Sequence, residues 1–296
     1  MKLLISGATG FIGSHLVKKL LDADVKLYAI VRGSTKKKAL DPRMYVYVFN
    51  GDMTKLISFM EKEKFDGVIH LASLFLVNHN TSDVSDLVNS NLLFSTQLLE
   101  ASVVSNIPWF INTGTFTQHY KNKKYSPTNL YSSTKEAFEV VAKYYVETSK
   151  IVFVTIKLFD TFGEGDTRPK VFSLWSKISK TKEVLDMSPG DQIIDINYVK
   201  NVADGYLQMI KILSKPKAKK ISGKSYTLSS GRRMTLKKLS QLFEKVTGEK
   251  LNIKWGGRPY RDREVMVPWE KGENVPGWKP KITLEEGILA TIKAKN

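Results

Sequence analysis

The chain of 296 residues is 42% hydrophobic and 10% aromatic, a composition typical of a globular protein with a large buried core. It has no cysteine, which excludes disulfides, thiolate catalysis and thiolate metal sites, and its four histidines lack metal-ligand spacing, so we predict no metal. The net charge of +17 comes from lysines that are scattered, or clustered at 36–38 and 215–220 without interleaved aromatic residues, so we expect no nucleic-acid partner.

No apolar run approaches the roughly 18 residues that cross a bilayer, so we expect no membrane partner. Residues 1–6 are too few for the apolar part of a secretory signal and are typical of a first strand. We therefore expect a cytoplasmic protein.

Apolar runs alternate with amphipathic segments over residues 1–160, which predicts β-α units around a parallel sheet. The predicted strands are 2–6, 26–31, 44–50, 67–71, 109–113 and 151–158, and the predicted helices are 12–22, 53–63, 84–105 and 130–148. This order predicts an α/β fold with a doubly wound, Rossmann-type parallel sheet, whose ligand crevice lies at the carboxyl ends of the strands. Loop signals after residue 160 indicate a smaller substrate-binding domain over 161–296, interleaved with the first because 193–213 and 225–228 fit the sheet domain.

A glycine motif, Gly7-x-x-Gly10-x-x-Gly13, follows the first strand and opens the first helix. Glycines there let backbone amides approach a pyrophosphate, and the helix N-terminus adds partial positive charge. The competing interpretation is a tight turn without a ligand, which the surrounding sheet pattern disfavours. We predict a dinucleotide site that includes Thr9, Phe11 and Ile12 of the same turn.

The second strand ends in Arg32, where NAD-binding proteins usually carry an acidic residue. Arg32, the hydroxyls at 34 and 35, and Lys36 suit a 2′-phosphate, so we favour NADP(H) over NAD. Asp52, after the third strand and followed by Met53, suits either a hydrogen bond from adenine or the N-cap of the next helix.

Tyr131 and Lys135 are four residues apart in a predicted helix, so they share one face. We expect the lysine to lower the pKa of the tyrosine from about 10 and to bond the nicotinamide ribose, while the tyrosine gives or takes a proton. Thr113, at the end of a sheet strand, adds a hydroxyl for a substrate carbonyl. The alternative is an ordinary exposed Tyr-Lys pair without a catalytic role, which the glycine motif disfavours.

These motifs together resemble the extended short-chain dehydrogenase/reductase family, in its nucleotide-sugar-modifying group. Further marks are His70-Leu71-Ala72-Ser73, Asn91, Phe162-Gly163 and Gly277-Trp-Lys-Pro280. The resemblance implies cofactor contacts from Leu71, Ala72, Ser73 and Asn91, a nucleotide-sugar substrate, and a homodimer formed through the helices that include the Tyr131 helix. It also implies that Thr113 orients the sugar and that Arg261 reaches the pyrophosphate. Other substrate-binding candidates are Thr115, His119, Lys170 and Arg258.

Departures from the family pattern narrow the expected reaction. The family's 4,6-dehydratases carry Asp-Glu where this chain has Gly114-Thr115, so dehydration is disfavoured, and the absence of cysteine excludes epimerisation by a Cys/His pair. Two reactions remain, 4-epimerisation with NAD and reduction of a 4-keto sugar with NADPH, and Arg32 favours reduction. Residues 112–120 and 255–264 resemble enzymes that form CDP-linked 3,6-dideoxyhexoses for bacterial O-antigens in lipopolysaccharide. A non-enzymatic cofactor sensor or scaffold is disfavoured because Tyr131 and Lys135 are both present.

Overall fold

The computed structural model describes residues 1–36 and 39–294, so two members of the first lysine cluster lie outside the described residues. Its main sheet has seven parallel strands within that part of the chain. These are β1 (Lys2–Ser6), β2 (Lys26–Arg32), β3 (Tyr45–Phe49), β4 (Gly67–His70), β5 (Trp109–Thr115), β6 (Val152–Leu158) and β10 (Ser225–Thr227). Their order across the sheet is β10-β6-β5-β4-β1-β2-β3. From β1 the chain adds β2 and β3 on one side, and then β4 and the later strands on the other, so the order of connection reverses between β1 and β4. Ligand crevices of open α/β sheets form at such a reversal.

Helices cover both faces of this sheet. The helices of the described residues are α1 (Phe11–Leu21), α2 (Met53–Glu63), α3 (Val84–Val88), α4 (Phe94–Val104), α5 (Leu130–Thr148), α6 (Val171–Thr181), α7 (Val199–Leu213), α8 (Leu236–Thr247) and α9 (Leu284–Lys293). One apolar core lies against α1 and α7, and a second lies against α2, α4 and α5. In β1, Leu3 and Ile5 point to the first core while Leu4 points to the second, as the two-residue period of a strand requires.

The C-terminal part adds two small sheets. Strands β7 (Asp160–Phe162), β9 (Ile193–Tyr198) and β11 (Arg233–Thr235) form one, and β8 (Leu185–Met187) and β12 (Ile253–Trp255) form the other. A third apolar core, built around Trp175 and Phe243, packs α6, α8 and α9 against them. This part overhangs the carboxyl edge of the main sheet and supplies the outer wall of a cleft.

The Rossmann-type prediction is confirmed, and the six predicted strands lie within two residues of the observed ones. The predicted helix 84–105 is interrupted, because residues Asn89–Leu93 form a π-helical turn between α3 and α4. Ser225–Thr227 forms a seventh strand at the edge beside β6, and α7 packs against α1. The division into domains 1–160 and 161–296 stays a prediction.

Helices long and apolar enough to cross a bilayer are absent from the described part of the chain.

Candidate active site

A cleft of about 850 Å³ opens at the carboxyl edge of the main sheet. Its lining comes from the glycine turn after β1, the ends of β5 and β6, the start of α5, and residues 261–265 of the C-terminal part. The predicted site residues in this lining are Gly7, Gly10, Phe11, Ile12, Gly13, Leu71, Ser73, Thr113, Thr115, Tyr131, Lys135, Lys170 and Arg261. Those outside the lining are Thr9, Arg32, Lys36, Asp52, Met53, Ala72, Asn91, His119 and Arg258.

The glycine turn is shaped for close backbone approach. Gly7 has a φ of +76°, and a Cβ there would lie 2.6 Å from the backbone nitrogen of Ala72. A Cβ on Gly13 would lie 2.0 Å from the Gly7 carbonyl oxygen, so α1 can begin against the turn only with glycine at this position. The N-cap residue Gly10 offers no side chain to the first amides of α1, which leaves them for a ligand. These features fit a dinucleotide pyrophosphate.

Tyr131 and Lys135 lie in the first turns of α5, which begins where the Asn129 side chain accepts a hydrogen bond from the Ser132 amide at 2.9 Å. Both side chains line the cleft, yet the lysine is only 1% exposed. Its Nζ is a buried nitrogen for which the described residues provide no hydrogen-bond partner. A buried ammonium in this state calls for an acceptor from a ligand, and the ribose hydroxyls of a nicotinamide nucleotide have that chemistry.

The electrostatics of the pair differ from the sequence-based prediction. Burial raises the pKa of Tyr131 to about 12, and this effect outweighs the lowering by its hydrogen bond with Ser73 and by the charge of Arg168. Lys135 is not among the causes, so the expectation that it lowers the tyrosine pKa is wrong. Burial also lowers the pKa of Lys135 to about 8, against an opposing attraction from Glu139. At neutral pH the tyrosine is therefore a protonated donor.

Thr113 and Thr115 mark the end of β5 and belong to two different hydrogen-bond systems. The Thr113 hydroxyl is 2.7 Å from the hydroxyl of Tyr206. Tyr206 belongs to α7, which lies on the face of the main sheet opposite to α5. The Thr115 hydroxyl pairs with that of Thr117 at 2.8 Å, and Thr117 pairs in turn with Ser132 at 2.7 Å. Thr113 is thus held by the apolar core, and Thr115 ties β5 to α5 through Thr117.

A buried polar chain lies behind the glycine turn, where sequence reasoning had placed only a family motif. The Ser6 hydroxyl is 2.7 Å from Nδ1 of His70, and the His70 Nε2 is 2.8 Å from the Ser95 hydroxyl. The imidazole is fully buried, and burial together with the charge of Lys135 depresses its pKa well below the usual range. A neutral His70 therefore links β1, β4 and α4 directly under the predicted cofactor site.

Asn91 lies outside the cleft lining and holds this region together through internal hydrogen bonds, and its cofactor contact stays a prediction. The side chain is fully buried in the π-helical turn. Its oxygen accepts hydrogen bonds from Ser73 and the Leu74 amide, and its nitrogen donates to the Leu74 carbonyl and to Thr134. All four bonds are internal, so Asn91 positions the segment after β4 against α5.

His119 lies outside the cleft lining, and its expected sugar contact stays a prediction. Its ring is 7% exposed and stacks on Trp269 with centroids 3.8 Å apart. One ring nitrogen lies 2.9 Å from Nζ of Lys157, a lysine that also pairs with Glu139 at 3.3 Å. His119 therefore anchors the C-terminal segment to the sheet domain. Arg258 is exposed outside the cleft, and its amide donates to the Met187 carbonyl.

Basic and aromatic groups line the outer half of the cleft. Lys170 lies 3.3 Å from an Asp160 oxygen and 4.9 Å from the ring centroid of Phe75. That phenylalanine is 40% exposed and meets the Tyr131 ring edge to face at 4.9 Å. Arg168, held by Asp166, lies 4.6 Å from the Phe11 ring. Sequence reasoning missed Phe75 and Arg168, since neither belongs to a motif that marks a site.

The predicted adenosine residues lie beside this cleft, at the same edge. Arg32 ends β2, the strand paired with β1, and both Arg32 and Lys36 are exposed to solvent. Asp52 is the N-cap of α2, accepting a hydrogen bond from the Lys55 amide at 3.0 Å, and Met53 begins that helix. Thr9 is exposed in the glycine turn. Their cofactor contacts stay predictions.

The fold and the site together define a class, that of doubly wound α/β oxidoreductases with a dinucleotide turn and a Tyr-Lys pair in one cleft. The sequence pattern of the NAD dependent epimerase/dehydratase family matches residues 3–222, and the chain belongs to that family. The resemblance to extended short-chain dehydrogenase/reductases is thereby confirmed. The protein is a nucleotide-sugar-modifying enzyme of this NAD(P)-dependent group.

Individual relatives carry different activities. The CDP-abequose synthase of Salmonella muenchen is 25% identical over 297 residues, covering 99% of this chain and 98% of the relative. The UDP-glucose 4-epimerase of Lacticaseibacillus casei is 25% identical over 323 residues, covering 98% and 95%. The solved structure of the UDP-glucose 4-epimerase of Thermotoga maritima with UDP-glucose has a TM-score of 0.85 at 20% identity, covering 100% of this chain and 98% of the other. The structural likeness confirms the fold.

The buried ammonium predicts a gain in stability for Lys135→Met. At pH 7 the lysine is charged in the folded and unfolded states, and the lowering of its pKa from 10.5 to about 8 corresponds to a folding cost of about 3 kcal/mol. We expect the variant to unfold at higher urea concentration at pH 7. The difference should shrink as the pH rises from about 8 to about 10.5, where the folded wild type loses the proton before the unfolded chain does.

The control for this measurement is Lys143→Met, on an exposed part of the same helix beside Glu147. Its free energy of unfolding should stay within about 0.5 kcal/mol of wild type at every pH. A Lys135→Met protein that is less stable than wild type at pH 7 would show that Lys135 is not an uncompensated charge.

Proposed function

We propose that the protein reduces the C4 ketone of CDP-4-keto-3,6-dideoxy-D-glucose with NADPH, forming CDP-abequose for bacterial O-antigen biosynthesis. The observation that carries the proposal is the convergence of Thr113, Tyr131 and Lys135 on one cleft with the glycine turn. The full-length relationship to a CDP-abequose synthase supports the choice of sugar and nucleotide. Bound NADPH supplies the hydride that adds to C4.

The proposed roles follow from the state of each side chain. Tyr131, with a pKa of about 12, holds its proton at neutral pH and gives it to the C4 oxygen, while Thr113 orients that oxygen. Lys135 has no hydrogen-bond partner in the described part of the chain, and in this proposal it bonds the cofactor ribose. Lys170 and Arg261 line the outer cleft, where their charges suit the substrate diphosphate.

The local packing supports reduction over dehydration. A Cβ on Gly114 would lie 2.9 Å from the Gln118 side-chain oxygen and 3.0 Å from a Glu139 carboxylate oxygen, so an acidic side chain has no room there. The next residue, Thr115, has its hydroxyl engaged with Thr117. An acid and base beyond Tyr131 are therefore not supplied at these two positions.

A second candidate is 4-epimerisation of a nucleotide sugar, favoured by the relationship to UDP-glucose 4-epimerases. Epimerisation returns the hydride to the same sugar and consumes no cofactor, whereas reduction consumes one NADPH for each turnover. The reductase that forms CDP-paratose is a third possibility, because it differs in the face of the ketone that receives the hydride. Product analysis by NMR distinguishes the two C4 epimers.

Tyr131→Phe should reduce kcat by about 10²–10⁴-fold, because it removes the general acid. The measurement is the fall in absorbance at 340 nm with NADPH and the CDP-linked keto sugar. The dissociation constant for NADPH, followed by fluorescence, should stay within twofold of wild type. Tyr144→Phe, the same substitution at an exposed site of α5, is the control and should keep full activity. A wild-type protein that interconverts UDP-glucose and UDP-galactose without consuming NADPH would establish the epimerase alternative instead.

Arg32→Ala should weaken the binding of NADPH more than that of NADH, since the guanidinium is proposed to bind the 2′-phosphate. Loss of a charged hydrogen bond of about 1.5–3 kcal/mol corresponds to a rise of about 10- to 150-fold in the NADPH dissociation constant. The NADH constant should change less than threefold. Arg43→Ala is the control, because Arg43 is paired with Asp22 and Asp41 after the same strand. An unchanged preference in Arg32→Ala would mean that the protein does not read the 2′-phosphate with this residue.

We also propose a homodimer formed by one face of α3, α5 and the π-helical turn, a set of neighbouring elements. Large apolar side chains are exposed on this face, namely Val84, Val88, Leu93, Val140 and Tyr144. Exposed apolar side chains on neighbouring elements are typical of an interface, and a self-complementary contact closes as a dimer.

Sedimentation equilibrium tests the dimer. The wild type should sediment as a dimer, and Val140→Glu with Tyr144→Glu should give a folded monomer, because buried carboxylates at the interface are costly. Tyr45→Glu, at an exposed aromatic on the edge strand β3, should leave the dimer intact. A monomeric wild type at micromolar concentration would contradict the assembly.

A further inference from the structure

Tyr206 lies behind the reacting centre, outside every motif that sequence reasoning singled out. It belongs to α7, is fully buried in the apolar core between the main sheet and helices α1 and α7, and does not line the cleft. Its hydroxyl is 2.7 Å from the hydroxyl of Thr113, and the described residues offer it no second hydrogen-bond partner. Thr113 is half-buried and does line the cleft.

The surroundings of the two hydroxyls determine which one donates. A buried hydroxyl proton without an acceptor costs about 1–3 kcal/mol, so the Tyr206 proton must point at the Thr113 oxygen. Burial raises the pKa of Tyr206, so that proton is retained throughout the ordinary pH range. The Thr113 oxygen then accepts from Tyr206, and the Thr113 proton is free to turn toward the cleft.

We propose that Tyr206 is a positioning residue that makes Thr113 a hydrogen-bond donor to the substrate ketone. This inference rests on the proposed reductase function. A ketone oxygen has two lone pairs, and in this arrangement one is met by the Thr113 hydroxyl and the other by the Tyr131 hydroxyl. Both donors strengthen as charge develops on the oxygen during hydride addition, so their effect falls on kcat more than on substrate binding.

A double-mutant cycle tests the coupling between the two residues. Tyr206→Phe removes only the donor hydroxyl and should lower kcat about 3- to 10-fold, the value of one neutral hydrogen bond, with KM within twofold. In a Thr113→Val background the same change should lower kcat no further, because the group that Tyr206 orients is already gone. A purely structural role of Tyr206 predicts instead that its effect multiplies with that of Thr113→Val, and this result would overturn the proposal.

Tyr226→Phe is the matched control for the cycle. Tyr226 is a buried tyrosine of the same apolar core, on β10, and does not line the cleft. This variant should keep kcat and KM at wild-type values. A loss equal to that of Tyr206→Phe would show that removal of any core phenol disturbs the site, and the proposal would fail.

A spectroscopic measurement without substrate or cofactor separates this inference from the proposed function. Protein labelled with ¹³C at the tyrosine Cζ gives a Tyr206 signal, assigned by its loss in Tyr206→Phe. Donation to Thr113 predicts slow hydroxyl exchange, seen as two resolved signals in a 1:1 mixture of H₂O and D₂O, and a displaced signal in Thr113→Val. A single averaged signal that Thr113→Val leaves unchanged would refute the hydrogen bond, whichever reaction the enzyme catalyses. Conversely, a wild type that reduces no keto sugar refutes the function without affecting this result.

Discussion

The ammonium of Lys135 is a charge held inside the protein without a hydrogen-bond partner among the described residues. Its cost of about 3 kcal/mol is a large fraction of the roughly 5–15 kcal/mol that a typical protein has as its free energy of unfolding. The fold tolerates it because α5 is held elsewhere by apolar contacts, with Phe138 and Ala142 fully buried one and two turns further along. Apolar burial in one part of the helix thus offsets the cost of a buried charge in another part.

The register of the parallel strands determines which side chains share the cleft with the ammonium of Lys135. β5 continues to Thr115, past the end of β4 at His70, so Thr113 projects beyond the neighbouring strand and reaches the cleft. On the other side of β4, the end of β1 leads into the glycine turn. The neutral His70 links β1 to α4 there, through its hydrogen bonds with Ser6 and Ser95. Side chains that are distant in sequence are therefore placed by backbone register and held by buried polar bonds.

Features encoded locally could be predicted from the sequence, and features that depend on distant contacts could not. Continuous apolar runs identified β1 and β6, and the four-residue spacing placed Tyr131 and Lys135 on one face of α5. The π-helical turn at residues 89–93 was missed; its Asn91 exchanges hydrogen bonds with the backbone of Leu74, 17 residues away, a contact that the local pattern does not encode. Tyr206 was missed for the same reason, as 93 residues separate it from Thr113. The sign of the Tyr131 pKa shift was wrong because burial is a property of the folded structure.

The stack of His119 on Trp269 links two parts of the chain that are distant in sequence. It joins the loop that follows β5 to the C-terminal segment that brings Arg261 to the cleft, and Asn122 adds a second link to Glu270 in that segment. The C-terminal segment and the main sheet are therefore not independent modules. The aromatic stack and the Asn122–Glu270 hydrogen bonds couple two loops that lie about half the sequence apart, so a change in the packing of one loop is transmitted to the other.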